Sequence, residues 1–250
     1  MKPKAIRKRL DLLLVERGIA QSLKEALAMV LAGEVQVDGK RTDKAGTPIA
    51  ADAQIELTNR AQQFVSRGGV KLKGALADFA IDPEGRICLD IGSSTGGFTD
   101  CLLQHGASRV YAVDVNTEQI DWKLRQDPRV VRIERNAREL DGEELPQKAG
   151  VVVIDVSFIS VSKVLGPAIS EAEENADFLI LIKPQFELSR EEIPPGGVVT
   201  DEKLREKAIV KVRQGVESLG LAFLGVQPSH LLGAEGNQEY FLHARKKSVE

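Results

Sequence analysis

The stretch Leu89-Asp90-Ile91-Gly92-Ser93-Ser94-Thr95-Gly96-Gly97-Phe98-Thr99 constrains this chain most. An apolar run that ends in an acid and passes at once into glycines is a buried parallel strand entering a tight turn. Glycine there lets backbone approach a ligand closely. The spacing is not the dinucleotide fingerprint, because G-x-G-x-x-G would need a glycine at Ser94. Asp-x-Gly-x-x-x-Gly-Gly suits S-adenosylmethionine instead, which carries no pyrophosphate to seat at a helix start. It marks Asp90, Gly92, Ser94, Thr95, Gly96, Gly97 and Phe98 as donor-binding candidates.

The rest of that half of the chain repeats the strand–helix theme. Strands are expected at 86–91, 109–115, 130–134, 151–156, 178–182, 221–226 and 240–244, and helices near 98–105, 118–125, 161–173 and 202–218. This alternation argues an α/β fold, a mainly parallel seven-stranded sheet of Rossmann-like type covered on both faces. Such sheets take ligands beyond the carboxyl ends of their strands. Asp114 closes the second strand, where a carboxylate can accept from both ribose hydroxyls, and Asn136 after the third is expected near the adenine. Asp155 ends the fourth strand and Lys183 the fifth; charges ending buried runs are costly unless paired or functional. Lys71, in Ser66-Arg67-Gly68-Gly69-Val70-Lys71, and Glu239, before the last strand, complete four charged residues from separated segments that this fold can bring together. Glu187 is a second carboxylate close to Lys183 in the chain.

A smaller α+β unit precedes this domain. Leu10, Leu13 and Leu14 have helical spacing, and Gly18 can close that helix. Ser22-Leu23-Lys24-Glu25 is a capping box for a second helix ending near Gly33. Val35-Gln36-Val37 alternates into Asp38-Gly39, a hairpin signal, and a strand near 55–57 can complete a small sheet. Two short helices followed by V-x-V-D-G-K resemble the alpha-L RNA-binding motif. That resemblance implies phosphate contacts from Arg7, Lys8, Arg9, Lys24, Lys40 and Arg41, which position RNA more than they read its sequence. Arg67 is counted with them. The expected boundaries are 1–60 for the RNA-binding domain, 61–66 for a linker and 67–250 for the second domain.

Charge agrees with a polyanion partner. Residues 1–75 hold 14 Lys and Arg against 8 Asp and Glu, leaving −9 on the remainder of a chain of net charge −3. No apolar run approaches the ~18 residues of a spanning helix, and the basic start lacks the apolar region of a signal peptide. A cytoplasmic protein without membrane insertion is expected. Cys88 and Cys101 are too few for a disulfide framework and lack metal-like spacing, so no metal is expected.

Phe64-Val65-Ser66-Arg67-Gly68-Gly69-x-Lys71, the Asp90–Thr99 turn, Asp155-Val156-Ser157-Phe158-Ile159-Ser160, Lys183-Pro184-Gln185-Phe186-Glu187 and Glu239-Tyr240-Phe241 together resemble the TlyA family. That family joins an alpha-L module to an FtsJ-like methyltransferase. The resemblance implies S-adenosylmethionine-dependent 2'-O-methylation of ribose, at cytidine, in ribosomal RNA or ribosomal subunits. It also implies a catalytic tetrad of Lys71, Asp155, Lys183 and Glu239. In that tetrad Lys183 is expected as general base, Asp155 orients it near the donor's methyl, and Lys71 and Glu239 hold the ribose.

Other chemistries leave other marks. Exocyclic-amine methylation uses Asp/Asn-Pro-Pro-Tyr/Phe, whereas the fourth strand here ends without prolines. Methylation at pyrimidine carbon needs a cysteine nucleophile, and both cysteines fall inside expected core elements. His105, His230 and His243 form no ligand pair, and Trp122 is expected to pack. Residues 187–199, with Pro194-Pro195-Gly196-Gly197, read as a loop. Two alternatives stand beside the enzyme: a non-catalytic RNA-binding or ribosome-assembly factor, and a haemolysin-like protein, a label attached to relatives.

Overall fold

Leucines at helical spacing and short alternating strands build the first unit as their pattern dictates. The structure is a computed structural model that describes residues 7–20, 22–31, 33, 35–42, 44–57, 63–233 and 235–248. It divides the chain into two units, Met1–Gln62 and Gln63–Glu250. The first runs β1 (Arg7–Arg9), α1 (Leu10–Glu16), α2 (Leu23–Leu31), β2 (Val35–Val37), β3 (Lys40–Arg41), β4 (Pro48–Ala50) and β5 (Ile55–Leu57). Leu10, Leu13, Leu14, Ala26, Val30 and Val35 form its buried centre. The Ser22 hydroxyl accepts from the Glu25 N–H at 3.2 Å, as the capping sequence requires. Asp38 and Gly39, at φ +50° and +73°, make the tight turn between β2 and β3, and β5 pairs with the other edge of β2. Strands β1 and β4 pair antiparallel and were not legible, because three residues give no countable period.

The second unit runs α3 (Arg67–Asp78), β6 (Ile87–Ile91), α4 (Gly97–Gln104), β7 (Arg109–Asp114), α5 (Trp122–Arg125), β8 (Val130–Glu134), β9 (Ala149–Ile154), α6 (Ser162–Ser170), β10 (Ala172–Ile182), α7 (Pro184–Glu187), α8 (Glu202–Ser218), β11 (Leu221–Pro228) and β12 (Tyr240–Lys246). Seven strands form one sheet in the order β11-β12-β10-β9-β6-β7-β8. The five from β10 to β8 are parallel, and β12 runs antiparallel to both its neighbours. All six residues of β9 are buried, as a strand covered on both faces must be. Leu72, Ala75 and Leu76 of α3 and Leu102 of α4 pack on one face. Val164 and Leu165 of α6 and Val212 and Val216 of α8 pack on the other. Each such aliphatic side chain contributes about 1.5–3 kcal/mol on burial.

Two expected elements differ, and helix α3 was not expected. Helix α3 escapes a propensity reading because Gly68, Gly69 and Gly74 weaken the helical signal. Two of those glycines are steric necessities: a Cβ at Gly69 would meet the Phe64 ring at 2.3 Å, and one at Gly74 the His230 ring at 2.9 Å. The expected helix over 118–125 is broken at Ile120, whose backbone is extended; a 3-10 turn at Thr117–Gln119 precedes it, and Asp121 caps α5 after it. The helix expected to reach 173 stops at Ser170, and β10 takes over at Ala172. Cys88 and Cys101 are buried as expected; burial pushes the Cys88 thiol up to about 12 and Cys101 up as well.

Midway along β10, Asp177 gathers Arg86 at 2.8 Å, Arg245 at 2.7 Å and His243 Nε2 at 3.0 Å. Burial raises its pKa, but the hydrogen bonds from His243, Arg86 and Arg245 and the Arg245 charge outweigh this and hold it well below the ordinary carboxylate range. A depressed folded-state pKa contributes stability above the unfolded value of about 3.9, lost as pH falls toward the folded value. Asp177→Asn is therefore expected to melt below the parent at pH 7. The gap should close as acid takes the pH below about 4. A gap that widens in acid, in thermal melts followed by circular dichroism, would contradict this.

Candidate active site

β6 and β9 are the strands on either side of the point where the sheet's connections reverse direction, the place where open α/β sheets bind ligands. Their carboxyl ends touch through backbone. The Asp155 N–H donates to Ile91 O at 2.9 Å, and a Cβ on Gly92 would stand 2.2 Å from Asp155 O. Gly92 also sits at φ +83°, so no other residue fits without displacing the Asp155 loop. Gly96 faces the Leu124 side chain and Gly97 the Ser66 hydroxyl, where a Cβ would meet atoms at 2.4 and 2.1 Å. These two glycines serve packing within the protein. Ser94 adopts φ +47°, and its N–H donates to Asp114 Oδ2 at 2.9 Å. Ser94 and Thr95 are exposed at the turn, while the Phe98 ring is buried against Phe241. Only the backbone of Phe98 is left to serve a ligand.

Three carboxylates surround that turn. Asp114 is half-buried and also accepts from the Asn116 N–H at 3.1 Å. Asp90 is fully buried; Thr99 Oγ1 donates to its Oδ2 at 2.6 Å, and Oδ1 has no partner among the described residues. Burial, together with the nearby charges of Asp155 and Asp114, pushes Asp90 up to about 7 against the Thr99 hydrogen bond. A site this rich in negative charge, with an orphaned carboxylate oxygen, fits a positively charged ligand. Asn136 spends its Oδ1 on the N–H and Nε of Arg138, both at 3.2 Å, in a 3-10 turn after β8.

Four ionic side chains from separate segments form two pairs. Lys71 Nζ lies 2.5 Å from Glu239 Oε2, and Lys183 Nζ lies 2.5 Å from Asp155 Oδ1. Lys183 also donates to Ser157 Oγ at 2.8 Å. Lys71 and Glu239 are 9% and 3% exposed, so each is tolerated only because the other is present. The ladder of β10 and β12 pairs Ile182 with Tyr240, which sets Lys183 and Glu239 one residue beyond the same rung. One face of α3 holds the segment that carries Glu239. Arg67 donates to Leu232 O at 3.0 Å, Lys71 meets Glu239, Gly74 faces the His230 ring, and Asp78 meets His230 Nε2 at 2.9 Å. Asn237, 1% exposed, ties the same segment to the loop after α7 by accepting from Val199 N–H at 2.8 Å and donating to Gly197 O at 2.9 Å.

Two aromatics correct or extend the expectations. Trp122 does not pack: it is 58% exposed at the start of α5. Phe158 was overlooked. It is 88% exposed at φ +66°, three residues after Asp155, with its ring 5.2 Å from that of Phe186. The signal was an aromatic directly after a polar strand end, where the chain has no core to fill. Glu187, the second carboxylate near Lys183, is buried and its oxygens are taken by Ser160 and Val161, not by a lysine of the two pairs.

In the first unit the basic residues divide. Arg9 forks onto Asp11 through Nε at 3.1 Å and a terminal nitrogen at 2.6 Å, and Lys8 meets Glu16 at 2.6 Å. Arg7, Lys24 and Lys40 are exposed and make no ion pair among the described residues. The side chain of Arg41 lies outside the described residues.

Comparison with known proteins places this geometry. The FtsJ-like methyltransferase family matches residues 64–246, and the S4 domain family matches residues 8–55. The chain is 44% identical, over 98% of its own length and 92% of the relative's, to the 16S/23S rRNA (cytidine-2'-O)-methyltransferase TlyA of Mycobacterium tuberculosis. It is 42% identical, over 94% of its length and 98% of the relative's, to Hemolysin A of Brachyspira hyodysenteriae. Among solved structures, a hemolysin-named protein of Streptococcus thermophilus superposes with a TM-score of 0.77 at 37% identity, covering 98% of this chain and 90% of that one.

Gly92→Ala tests the strand-end contact. It is expected to weaken donor binding in calorimetry and to lower the melting temperature. Gly220→Ala is the control, since Gly220 has φ +82° with nothing within 4 Å of its would-be Cβ. It should show only the strain of a positive φ, about 1–2 kcal/mol, with donor affinity intact. Equal donor affinity in both variants would contradict the role given to the contact.

Proposed function

This chain belongs to the TlyA family of FtsJ-like methyltransferases with an S4 domain, and we propose that it methylates the 2'-hydroxyl of a cytidine ribose in ribosomal RNA with S-adenosylmethionine as donor. The observation that carries this reading is the two lysine–carboxylate pairs, one buried and one half-buried. Bound there, S-adenosylmethionine supplies an electrophilic methyl group on a cationic sulfur, which the ribose oxygen displaces. The turn from Gly92 to Gly97 gives the donor its seat. Asp114 would accept from the donor's ribose hydroxyls, Asp90, Asp114 and Asp155 would favour its positive charge, and Asn136 would serve its adenine.

A ribose hydroxyl is a weak nucleophile at neutral pH, so its proton must leave as the oxygen bonds to carbon. Lys183 Nζ takes that proton. It does so only as the neutral amine. Asp155 and Ser157 fix the direction of the Lys183 nitrogen. Lys71 and Glu239, locked to one another, present a rigid donor and acceptor to the sugar. In-line alignment of oxygen, carbon and sulfur supplies much of the acceleration. Phe158 offers an exposed face on which the target base can rest. The S4 domain, whose Arg7, Lys24 and Lys40 make no ion pair among the described residues, holds the RNA backbone, and Arg67 adds a cation at the start of α3.

The haemolysin reading has hemolysin-named relatives and the RNA-binding reading has the S4 domain, but both features are shared with the rRNA methyltransferase relative. No helix among the described residues is long and apolar enough to cross a membrane. Both lysine–carboxylate pairs are intact, which a purely RNA-binding factor would not need.

Lys183→Met keeps the length of the side chain and removes the amine. Transfer of tritiated methyl to ribosomal subunits is expected to fall by about 100-fold or more, while calorimetry still detects donor binding. Activity near the parent level would rule out the base assignment.

A further inference from the structure

The Lys-Pro-Gln-Phe-Glu run after β10 ends in a carboxylate that the reaction above does not use. Glu187 is 2% exposed. Its Oε1 accepts the Val161 N–H at 2.8 Å, and its Oε2 accepts the Ser160 hydroxyl at 2.5 Å. Both partners belong to the segment that joins Asp155 to α6. The nearest cation is Lys211 of α8, which donates to the carbonyl of Glu187 and stands 3.9 Å from Oε2. Burial holds the Glu187 carboxyl above its usual range, against the hydrogen bonds from Ser160 and Val161 and the charge of Lys211.

These bonds complete a ladder between two short pieces of chain. Lys183 meets Asp155 and Ser157, Phe186 meets Phe158, and Glu187 meets Ser160 and Val161. The 155–161 segment has no regular hydrogen bonding of its own and carries Phe158 at positive φ. Such a conformation persists only where its surroundings over-determine it. The first two rungs face the cleft: Ser157 and Phe158 are exposed and Lys183 is half-buried. The Glu187 rung is the most covered, since Glu187 and Val161 are both buried.

We propose that Glu187 is a positioning residue of the methyl transfer, whose carboxylate pins the far end of the 155–161 segment to α7 and thereby holds Asp155 and Ser157 against Lys183 Nζ. This rests on the reading of Lys183 as the proton acceptor. Glu187 touches no reacting atom; it acts through the geometry of residues that do.

The test compares parent, Glu187→Gln and Glu187→Ala proteins labelled with 13C at lysine Cε. The Lys183 resonance is assigned by its disappearance in Lys183→Met. Its pH titration, single-turnover methyl transfer, donor affinity and thermal melting are measured on each protein. In Glu187→Ala the Lys183 titration is expected to move, and transfer to fall by about 100-fold, with donor affinity unchanged. Glu187→Gln keeps an acceptor for the Val161 N–H and is expected to fall less. An unmoved Lys183 titration overturns the proposal, whether the rate of the folded variant is parental or falls only in step with the loss of folded protein. Should the parent itself methylate no ribose, the reading of the site fails, and the Lys183 titration still decides whether Glu187 holds that side chain.

Discussion

The approach of Gly92 to the carbonyl of Asp155 is the constraint on which the rest of the site depends. It joins the carboxyl ends of β6 and β9, the strands flanking the point where the sheet reverses its order. With those ends in contact, the glycine turn, Asp114 at the end of β7, Asp155 just after β9 and Lys183 just after β10 share one rim. A side chain at position 92 would push the glycine turn away from the Asp155 segment. The buried β9 run between them supplies the rigidity, since a strand covered on both faces has nowhere to shift.

Charge is arranged on that rim in two ways. Among the described residues Asp90 and Asp114 have no lysine partner, and burial with the neighbouring carboxylates pushes Asp90 up to about 7. Lys71 and Glu239, and Lys183 and Asp155, instead neutralise each other within the cleft. Breaking either pair would strand a charge of low exposure, so the pairs are held in place before any substrate arrives. That pre-organisation is what a ribose hydroxyl, with little reactivity of its own, requires of its surroundings. The segments that carry these groups are tied from behind: α3 grips the chain before Glu239, and α7 grips the chain after Asp155.

Much of this was legible in the amino-acid order, because buried parallel strands advertise themselves as apolar runs and their ends as abrupt charges. Asp90, Asp114, Asp155 and Lys183 could be placed at strand ends from that pattern alone. The pairing of Lys71 with Glu239 could not, since 168 residues separate them and nothing local ties one to the other. Helix α3 was hidden by glycines that exist to let Phe64 and His230 approach. Trp122 was read as a packing residue and Phe158 was not singled out, because exposure is decided by which way a short loop turns. Glu187 looked like a competitor for catalysis until its oxygens were seen committed to Ser160 and Val161.

The most direct measurement of the central claim is the chemical identity of the product. Ribosomal RNA incubated with this protein and isotopically labelled S-adenosylmethionine is digested to nucleosides and separated by mass spectrometry. The account predicts label in 2'-O-methylcytidine. Label confined to a methylated base, with the ribose unmodified, would contradict it.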